Sequence, residues 1–507
     1  MWIVVTNLAD LIDRSADEFP ASVAIVDGDR KATYAGLDDH VSALALGMLA
    51  QGLEPGDRVG LFLGNTYEFV VAFFAVLRAG AIAVPLNTSL TATEIEHVIR
   101  STEPRLLITD NNYSDRLDTA NLAQCRVLSA RSAPWEKLLK ASTAETSFPT
   151  VDPESAAVLL FTSGSSGEPR AAILSHRALL ANVHALLSLE HPPAITAKDT
   201  SIAVLPLFHV YSLNSILVCG LAAGATVVLC PRFDPDTTLA AIRKHKVSVV
   251  AGAPPMYVAW SAVPGLREAF GKARLVLSGA APLAPALFDE FHTMTGKPVW
   301  EGYGLTECAP VVSTTLVSGV PKAGSVGRPL PNVEVKIVPE RQERPGITID
   351  GLDDANESEP GEIWVRGPSL FSGYWPNGAD GPDGQGWFGT GDVGYIDADG
   401  DLTLVDRRSD LVIVSGFNVY PREVERAIEQ HPNVAECAVF GVPHPYSGEA
   451  VKAVVALRPD TELATAELVQ FCEERLARFK CPTIVEFRAE LPHGPTGKIA
   501  KDSLRTT

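Results

Sequence analysis

A run of small and hydroxyl-bearing side chains follows an apolar stretch in the segment LLFTSGSSGEPRAAILSH, residues 159–176. Such residues offer backbone N–H groups and hydroxyls, and consecutive N–H groups in a glycine-rich turn form a concavity that binds anions. Two interpretations are open at this point: a turn between two strands, for which Gly and Ser are equally typical, and a phosphate-binding loop. The segment departs from the Walker pattern, because Glu168, Pro169 and Arg170 stand where that pattern has Lys followed by Ser or Thr.

The residues after this loop predict a short strand and then a helix. Ser175 is expected to cap the helix N-terminus, and Leu179, Val183 and Leu186 repeat at helical spacing. The loop therefore joins two strands in this prediction, whereas a Walker loop joins a strand to a helix.

Bulk properties limit the classes of protein that remain. The chain has 507 residues, more than one hydrophobic core accommodates, so at least two domains are expected. Its net charge of -19 argues against a nucleic-acid partner, which would require a basic face. Its seven cysteines include no CxxC pair, which favours a reducing compartment. No basic signal segment and no apolar run long enough to cross a bilayer is found, so we expect a cytoplasmic protein without a membrane span.

Helix and strand patterns alternate through the first two thirds of the chain: the sequence predicts a buried helix from Tyr67 to Leu77 and short strands at residues 225–230, 247–253 and 273–279. This alternation favours a mostly parallel sheet covered by helices. From about Glu334 the strand-like pieces are separated by turn residues, as in antiparallel structure. Beyond Arg408 two helical and two strand-like segments form a small α+β unit. We therefore predict an α/β fold with a large N-terminal domain of βα-rich sheets and an antiparallel portion, residues 1–408, and a small α+β C-terminal domain, residues 409–507.

Four further motifs follow the glycine-rich loop along the chain. They are GYGLTE at 302–307, WFGTGD ending at Asp392, VDRRSDLVIVSGFNVYPREVE at 405–425, and GPTGKIAK at 494–501. In this order the motifs closely resemble the adenylate-forming acyl-CoA synthetase superfamily over nearly the whole chain. The resemblance implies that a carboxylate attacks the α-phosphorus of ATP to give acyl-AMP, and that a thiol, usually that of coenzyme A, then displaces AMP. It also implies a requirement for Mg²⁺ and identifies the glycine-rich segment as the ATP phosphate loop.

The resemblance assigns a nucleotide site to residues from several motifs. The ATP- or AMP-binding residues are expected to be Thr162, Ser163, Gly164, Ser165, Ser166, Gly167, Ser278, Gly279, Ala280, Glu301, Gly302, Tyr303, Gly304, Asp392 and Arg407. Tyr303 is expected to stack on adenine, and Asp392 and Arg407 to contact the ribose. Glu307 matches the magnesium-ligating carboxylate, a ligand type that hard cations prefer. Outside the family pattern, Tyr303 would be an ordinary half-buried aromatic, Glu307 a surface carboxylate after a turn, and Asp392 a residue of a simple turn.

The resemblance also assigns catalytic roles. Lys498 is expected to neutralise charge that develops between the carboxylate and the α-phosphate, although a solvated lysine is the usual state of this residue type. Thr306 matches the residue that contacts the α-phosphate. His209 aligns with a histidine near the carboxylate site, with a purely structural histidine as the alternative.

The family alternates two orientations of its C-terminal domain, and the resemblance locates the residues that this motion uses. The pivot is expected at Arg408 and Ser409, since hinge residues absorb the change between domains. Gly416 and Phe417 match the loop beside the thiol tunnel, where a glycine lets the backbone approach the ligand closely; a simple turn glycine is the alternative for Gly416.

The acyl pocket is expected at Phe208, His209, Val210 and Tyr211. The segment FHVYSLN lacks the aspartate with which amino-acid-activating relatives pair the substrate ammonium, and an unpaired buried ammonium is costly. We therefore expect a carboxylic acid without an α-amino group and with an apolar body. Fatty, aryl and terpenoid acids all satisfy this description.

Three residues depart from the family pattern. Arg170 and Ala171 replace Lys and Gly at the end of the phosphate loop, and Ser409 replaces Asp or Lys at the pivot. They raise the possibility of an enzyme that adenylates poorly and forms thioesters from acyl-AMP made elsewhere. The motifs are also compatible with a ligase that loads a carrier-protein thiol, with a non-catalytic nucleotide-binding relative, and with an oxygenase acting on an acyl-adenylate.

Overall fold

The structure of the protein, a computed structural model, describes residues 5–117, 120–122, 124–140, 147–162, 169–339, 360–407, 412–414, 417–444, 448–476, 478–494 and 498–505. Ser163, Gly164, Ser165, Ser166 and Gly167 of the predicted phosphate loop lie outside the described residues, as do Arg408, Ser409 and Gly416. The chain forms two compact units, one from residues 1–322, 327–334 and 366–388, and the other from residues 323–326, 335–365 and 389–507.

The strands of the first unit belong to two sheets and run in chain order as follows: β1 Val23–Asp27, β2 Arg30–Thr33, β3 Arg58–Phe62, β4 Ile82–Pro85, β5 Leu106–Thr109, β6 Arg126–Ser129, β7 Ala156–Thr162, β8 Arg170–Ser175, β9 Thr200–Ala203, β10 Thr226–Leu229, β11 Val249–Gly252, β12 Leu275–Ser278, β13 Trp300–Gly304, β14 Val311–Thr314 and β15 Arg328–Pro329. Two further sheets contain β16 Glu334–Pro339, β17 Gly361–Arg366, β18 Trp387–Ile396, β19 Leu402–Arg407, β20 Val412–Val414, β21 Phe417–Val419, β22 Val434–His444, β23 Gly448–Leu457 and β24 Ile484–Arg488.

The helices are α1 Asp10–Glu18, α2 Tyr34–Ala50, α3 Tyr67–Arg78, α4 Ala92–Thr102, α5 Ser114–Leu117, α6 Ala133–Leu138, α7 His176–Leu187, α8 Cys219–Ala222, α9 Pro235–Lys244, α10 Pro254–Ser261, α11 Leu266–Ala269, α12 Pro285–Thr295, α13 Thr315–Ser318, α14 Pro421–Glu429, α15 Thr465–Glu473 and α16 Lys501–Arg505. A π-helix spans Tyr211–Val218, and short 3₁₀ turns span Phe270–Lys272, Thr306–Cys308 and Arg478–Lys480. In the part of the chain that the structure covers, no helix has the length and apolar character needed to cross a membrane.

The first unit is built on two largely parallel sheets. One has the order β15-β14-β13-β12-β11-β9-β10-β1-β2 and is parallel from β13 to β1. The other has the order β6-β5-β3-β4-β7-β8 and is parallel except for the β7–β8 hairpin. Parallel strands need crossover helices on the sheet faces, which explains the alternation of helix and strand patterns in the sequence.

Helix α3 is the centre of the main core, and each of its residues is buried. Even Arg78 at its C-terminal end is enclosed, and the carboxylates of Asp13 in α1 and Asp38 in α2 pair with its guanidinium. Burial lowers the pKa of Arg78 to about 10. A buried charge is tolerated only when it is paired, so this cation fixes the positions of two neighbouring helices against α3.

The second unit contains most of the sheet β16-β17-β18-β19 and all of a five-stranded sheet with the order β21-β20-β23-β22 and β24 beside β23. Pairing is antiparallel between β18 and β19 and between β22 and β23, and parallel between β23 and β24. The helix α14 begins with Pro421 and buries Val424 and Ile428, a pattern that fixes its inner face.

The predicted fold class, α/β with a large N-terminal and a small C-terminal domain, is confirmed. Predicted strands at residues 225–230, 247–253 and 273–279 correspond to β10, β11 and β12. Ser175 caps α7 as predicted, because its hydroxyl accepts a hydrogen bond from the Ala178 N–H at 3.2 Å. The precise division at residues 408 and 409 stays a prediction.

The N-terminal residues are fixed to the first unit by a buried histidine. The Leu8 N–H donates to Nδ1 of His176, the first residue of α7, at 3.0 Å. This bond requires an unprotonated Nδ1, and burial lowers the pKa of His176 to about 4. The folded state therefore holds the imidazole neutral.

We expect His176 to make the protein acid-sensitive. Because its pKa is lower in the folded state than its ordinary value of 6.5, stability is lost as the pH falls from about 6.5 towards 4, by up to about 3 kcal/mol. His176→Asn keeps an acceptor for the Leu8 N–H and should flatten this part of the pH profile of the unfolding midpoint. His191→Asn, at an exposed histidine, is the control. Equal slopes for wild type and His176→Asn would contradict the assignment.

Candidate active site

The β7–β8 hairpin fixes both ends of the predicted phosphate loop. Thr162 is paired with Arg170 across the hairpin, and its hydroxyl donates to the Arg170 carbonyl at 3.4 Å. The residues between them therefore begin and end at neighbouring positions. Ala171 lies inside β8, opposite Phe161, and has no positive φ. Its Cβ therefore introduces no backbone strain, although the family has glycine at this position.

The predicted nucleotide and acyl segments meet at the end of β12. Ser278 is buried and lies opposite Glu301 in the parallel pairing of β12 and β13. A Cβ on Gly279 would lie 3.1 Å from the Tyr211 ring, so this ring packs directly on the backbone at position 279. Ala280 adopts a positive φ of 69°. Ligands of parallel sheets bind at the carboxyl ends of the strands, which is where these residues lie.

Glu301 makes several contacts with the protein itself. Its carboxylate accepts a hydrogen bond from the Leu283 N–H at 3.2 Å, and its own N–H donates to the Thr315 hydroxyl at 2.9 Å. These contacts join the segment after β12 to β13. Sequence reasoning placed Glu301 among the nucleotide ligands, and the geometry gives its buried side chain a role in holding the walls of that site.

The GYGLTE turn is tightly packed. A Cβ on Gly304 would lie 2.1 Å from the Pro310 carbonyl oxygen, which also accepts a hydrogen bond from the Leu305 N–H at 3.0 Å. Thr306 and Glu307 then form a single 3₁₀ turn, and Tyr303 just before them is buried. The backbone leaves no room for a side chain at 304, so this glycine sets the position of the turn.

Two buried asparagines that sequence reasoning missed hold the far side of this turn. The Asn182 amide in α7 donates to the Val311 carbonyl at 2.8 Å, and the Asn214 amide in the π-helix donates to the Ala309 carbonyl at 2.7 Å. Their signal in the sequence was weak: each is a single polar residue within an apolar helical stretch. Buried amides of this kind are retained when they satisfy backbone groups.

Glu307 is nearly enclosed, and the Tyr374 hydroxyl donates to its Oε1 at 2.7 Å. Burial, and next the charge of Glu307, raise the pKa of Tyr374, so the phenol keeps its proton and remains a donor. No group of three or more His, Cys, Asp or Glu able to hold a metal occurs among the residues that the structure covers. A single carboxylate such as Glu307 is compatible with Mg²⁺ that is shared with substrate phosphates, because this ion is usually bound by one or two carboxylates together with phosphate oxygens.

The predicted acyl residues follow a loop that is fixed by Asn65. Its amide donates to the Ala203 and Leu205 carbonyls at 3.1 and 3.0 Å, and its side-chain oxygen accepts from the Leu207 N–H at 2.8 Å. Sequence reasoning missed Asn65, which follows β3 far from these residues in the chain.

After this loop, Phe208 and Val210 are buried, and the Phe208 and His209 rings lie 4.7 Å apart. Tyr211 begins the π-helix, and such turns are frequent at functional sites. Burial raises the pKa of Tyr211, so its phenol is neutral. The four predicted residues are contiguous, and three of them, Phe208, Val210 and Tyr211, are apolar or carry a neutral phenol.

In the second unit, the two predicted ribose contacts are brought together. Asp392 in β18 lies directly opposite Arg407 in β19, and the Asp392 N–H donates to the Thr390 hydroxyl at 3.1 Å. Phe417 begins β21, paired with Val414. The sequence placed Asp392 and Arg407 in separate motifs, and the antiparallel register places their backbones at opposite positions of one strand pair.

Lys498 is exposed and lies next to Ile499, which forms an antiparallel bridge with His493. The Lys498 carbonyl accepts a hydrogen bond from the Gly494 N–H at 2.7 Å. Glu436 in β22 holds the segment before Lys498: its carboxylate accepts from the Leu491 N–H at 3.3 Å and lies 3.0 Å from Nε2 of His493. The predicted catalytic lysine thus follows a segment that Glu436 holds in place at Leu491 and His493.

Known protein families, curated proteins and solved structures resemble this chain over nearly its whole length. The family described as "AMP-binding enzyme" matches residues 12–375, and "AMP-binding enzyme C-terminal domain" matches residues 423–498. A long-chain-fatty-acid–CoA ligase of Bacillus subtilis (strain 168) is 32% identical, over 98% of this chain and 94% of that protein. A feruloyl-CoA synthase of Amycolatopsis sp is 35% identical over 97% of each chain. The crystal structure of ATP-bound MatB from Rhodopseudomonas palustris has a TM-score of 0.89 and 32% identity, covering 99% of this chain and 98% of that one.

The chain therefore belongs to the AMP-binding enzyme family. The predicted class of enzyme, an AMP-forming acid–thiol ligase, is confirmed by this membership and by these relatives. The individual residue roles stay predictions.

Gly304→Ala should displace the turn that carries Thr306 and Glu307, because the added Cβ would collide with a backbone oxygen. A forced rearrangement of a packed region costs about 1–3 kcal/mol, and we expect weaker nucleotide binding, measured by calorimetric titration with ATP. Gly271→Ala is the matched control, since a Cβ there meets nothing within 4 Å. Wild-type ATP affinity in Gly304→Ala would contradict the prediction that the position of this turn controls nucleotide binding.

Proposed function

We propose that the protein is an acyl-CoA synthetase that converts a carboxylic acid without an α-amino group, and with an apolar body, into its coenzyme A thioester through acyl-AMP. The observation that carries this proposal is the contact of Tyr211 with the backbone of Gly279, which brings the apolar segment 208–211 against the nucleotide segment 278–280. An acid bound along the first segment would present its carboxylate next to a nucleotide bound along the second.

In the first half-reaction, a carboxylate oxygen attacks the α-phosphorus of ATP, and the bond to pyrophosphate breaks. Lys498 and the Thr306 hydroxyl offset the charge that develops at the transferred phosphoryl group. Tyr303 stacks on adenine, and Asp392 and Arg407 bind the ribose. Mg²⁺ held by Glu307 would neutralise phosphate charge. In the second half-reaction, the coenzyme A thiolate attacks the acyl carbonyl, and AMP leaves with the oxygen that the acid supplied.

The nature of the acid follows from the lining of segment 208–211. Phe208, Val210 and Tyr211 are apolar or carry a neutral phenol, and no carboxylate in this segment could pair with a substrate ammonium. The relatives named for long-chain fatty acids and for feruloyl-CoA supply two chemical types of apolar acid to test. His209 is assigned to orient the substrate carboxylate.

Coenzyme A is the proposed acceptor, supported by the names of the relatives, and a carrier-protein thiol is the alternative. The proposal includes domains 1–408 and 409–507, a pivot at Arg408 and Ser409, and thiol access beside Gly416 and Phe417. It also includes a cytoplasmic location, which fits seven cysteines that are all thiols.

The test of the proposed function measures the two half-reactions separately. Pyrophosphate exchange into ATP is followed with a panel of fatty and aryl acids, beside thioester formation from synthetic acyl-AMP with coenzyme A or a carrier protein. We expect exchange with at least one acid that also yields its coenzyme A thioester. Absent exchange alongside rapid thioester formation would instead support the enzyme that uses acyl-AMP made elsewhere. Failure of both, with ATP still bound, would indicate a non-catalytic relative.

Lys498→Ala should lower the rate of adenylation by about 10²–10³-fold, because it removes a charge contact made mainly in the transition state. Thioester formation from supplied acyl-AMP should be retained, since the family uses the other domain orientation for that step. Lys137→Ala, at an exposed lysine of α6, is the control. Equal damage to both half-reactions would remove Lys498 from its proposed role.

A further inference from the structure

Tyr374 is fixed in position from both sides of its backbone. It forms an antiparallel bridge with Ala172 of β8 on one side and with Ala379 on the other. Its N–H donates to the Ala379 carbonyl at 2.9 Å, and the Gly378 N–H donates back to its carbonyl at 2.8 Å. Gly373 makes this return possible, with a φ of 92° and a Cβ position only 2.0 Å from the Gly378 oxygen. The segment around Tyr374 is therefore attached to β8, the strand that follows the predicted phosphate loop.

The Tyr374 ring is fixed as well. The Arg170 guanidinium lies over the Tyr374 ring, with its Cζ 3.9 Å from the ring centroid. The Phe371 ring meets the Tyr374 ring edge-on, with 5.0 Å between the two centroids. Arg170 is in turn held by Asp380, with Nη2 2.7 Å from Oδ2. A planar guanidinium can stack on the ring and pair with a carboxylate at once, which a lysine ammonium does less well.

The hydroxyl of this fixed ring reaches Glu307, with 2.7 Å between Tyr374 Oη and Glu307 Oε1. The Phe371 N–H donates to the Glu307 carbonyl at 2.9 Å, so the same segment also holds the backbone of the carboxylate. The tyrosine hydroxyl therefore restrains one oxygen, Oε1, of the Glu307 carboxylate. Partners that orient a metal-ligating carboxylate in this way commonly control its affinity for the metal.

We propose that Tyr374 is a positioning residue for Glu307, and that Arg170 and Asp380 position Tyr374. This inference rests on the proposed role of Glu307 in the function above. It gives a reason for Arg170 in place of the family's lysine: its guanidinium is used to stack on Tyr374 and to pair with Asp380 at the base of the phosphate loop. Glu307 and Arg170, at the base of the phosphate loop, are thereby coupled through the Tyr374 side chain.

The test is Mn²⁺ binding in the presence of α,β-methylene-ATP, measured by the electron paramagnetic resonance signal of free Mn²⁺ on the full chain. Tyr374→Phe keeps the ring and removes the hydroxyl, and we expect its Mn²⁺ dissociation constant to rise about tenfold or more. The KM for Mg·ATP should rise with it in the exchange assay. Binding needs neither acid nor turnover, so its outcome is independent of whether the proposed reaction occurs.

Tyr67→Phe is the matched control. The Tyr67 hydroxyl also has a partner, Nδ1 of His40 at 3.0 Å, and Arg30 lies 3.6 Å above its ring. Its Mn²⁺ affinity should equal that of the wild type. Wild-type Mn²⁺ affinity in a folded Tyr374→Phe variant would overturn the proposal.

Arg170→Lys carries the test should Tyr374→Phe fail to fold, because Arg170 is partly exposed. Loss of the stacked guanidinium should weaken Mn²⁺ binding about two- to fivefold. Arg177→Lys, which alters a surface pair with Glu154, should have no effect. In the Tyr374→Phe background, Arg170→Lys should cause no further loss, since the hydroxyl through which it acts is gone. An unchanged Mn²⁺ affinity in Arg170→Lys, or a full additional loss in the double variant, would contradict the proposed order of contacts.

Discussion

A carboxylate that shares a cation with phosphates also repels those phosphates, so it is useful only where the cation fits between them. In the role proposed for Glu307, the hydrogen bond from Tyr374 would meet this constraint, because it restrains the carboxylate. The surrounding structure serves the same purpose. Gly304 allows the turn to pack against Pro310, and the amides of Asn182 and Asn214 hold its far side.

The two largely parallel sheets support the residues of the candidate site. Strand ends of one sheet carry Ser278 and Glu301, and the hairpin at the edge of the other carries the predicted phosphate loop. Buried helices between strands, above all α3, leave these strand ends as rigid supports. Groups on rigid elements hold their geometry better than groups on isolated loops, and the exposed Lys498, whose catalytic role is a prediction, lies outside the regular strands and helices.

Much of the fold was readable from the sequence because periodic patterns and cap residues are local. The strands β10 to β12, the buried helix α3 and the Ser175 cap follow from a few neighbouring residues each. The contacts of Tyr374, Asn65 and Asn182 were not readable, because each partner lies dozens of residues or more away in the chain. Glu301 shows a related limit: the resemblance predicted a nucleotide contact, whereas its bond to Leu283 depends on how the segment after β12 packs against β13.

The central claim is that this chain activates an acid by forming a bond between a carboxylate oxygen and the α-phosphorus of ATP. The most direct test is to supply an acid labelled with ¹⁸O in both carboxylate positions and to analyse the AMP by mass spectrometry. The account predicts one ¹⁸O in AMP for each molecule of thioester formed, because the attacking oxygen leaves with AMP when the thiol displaces it. Thioester formed together with unlabelled AMP would contradict the acyl-adenylate route.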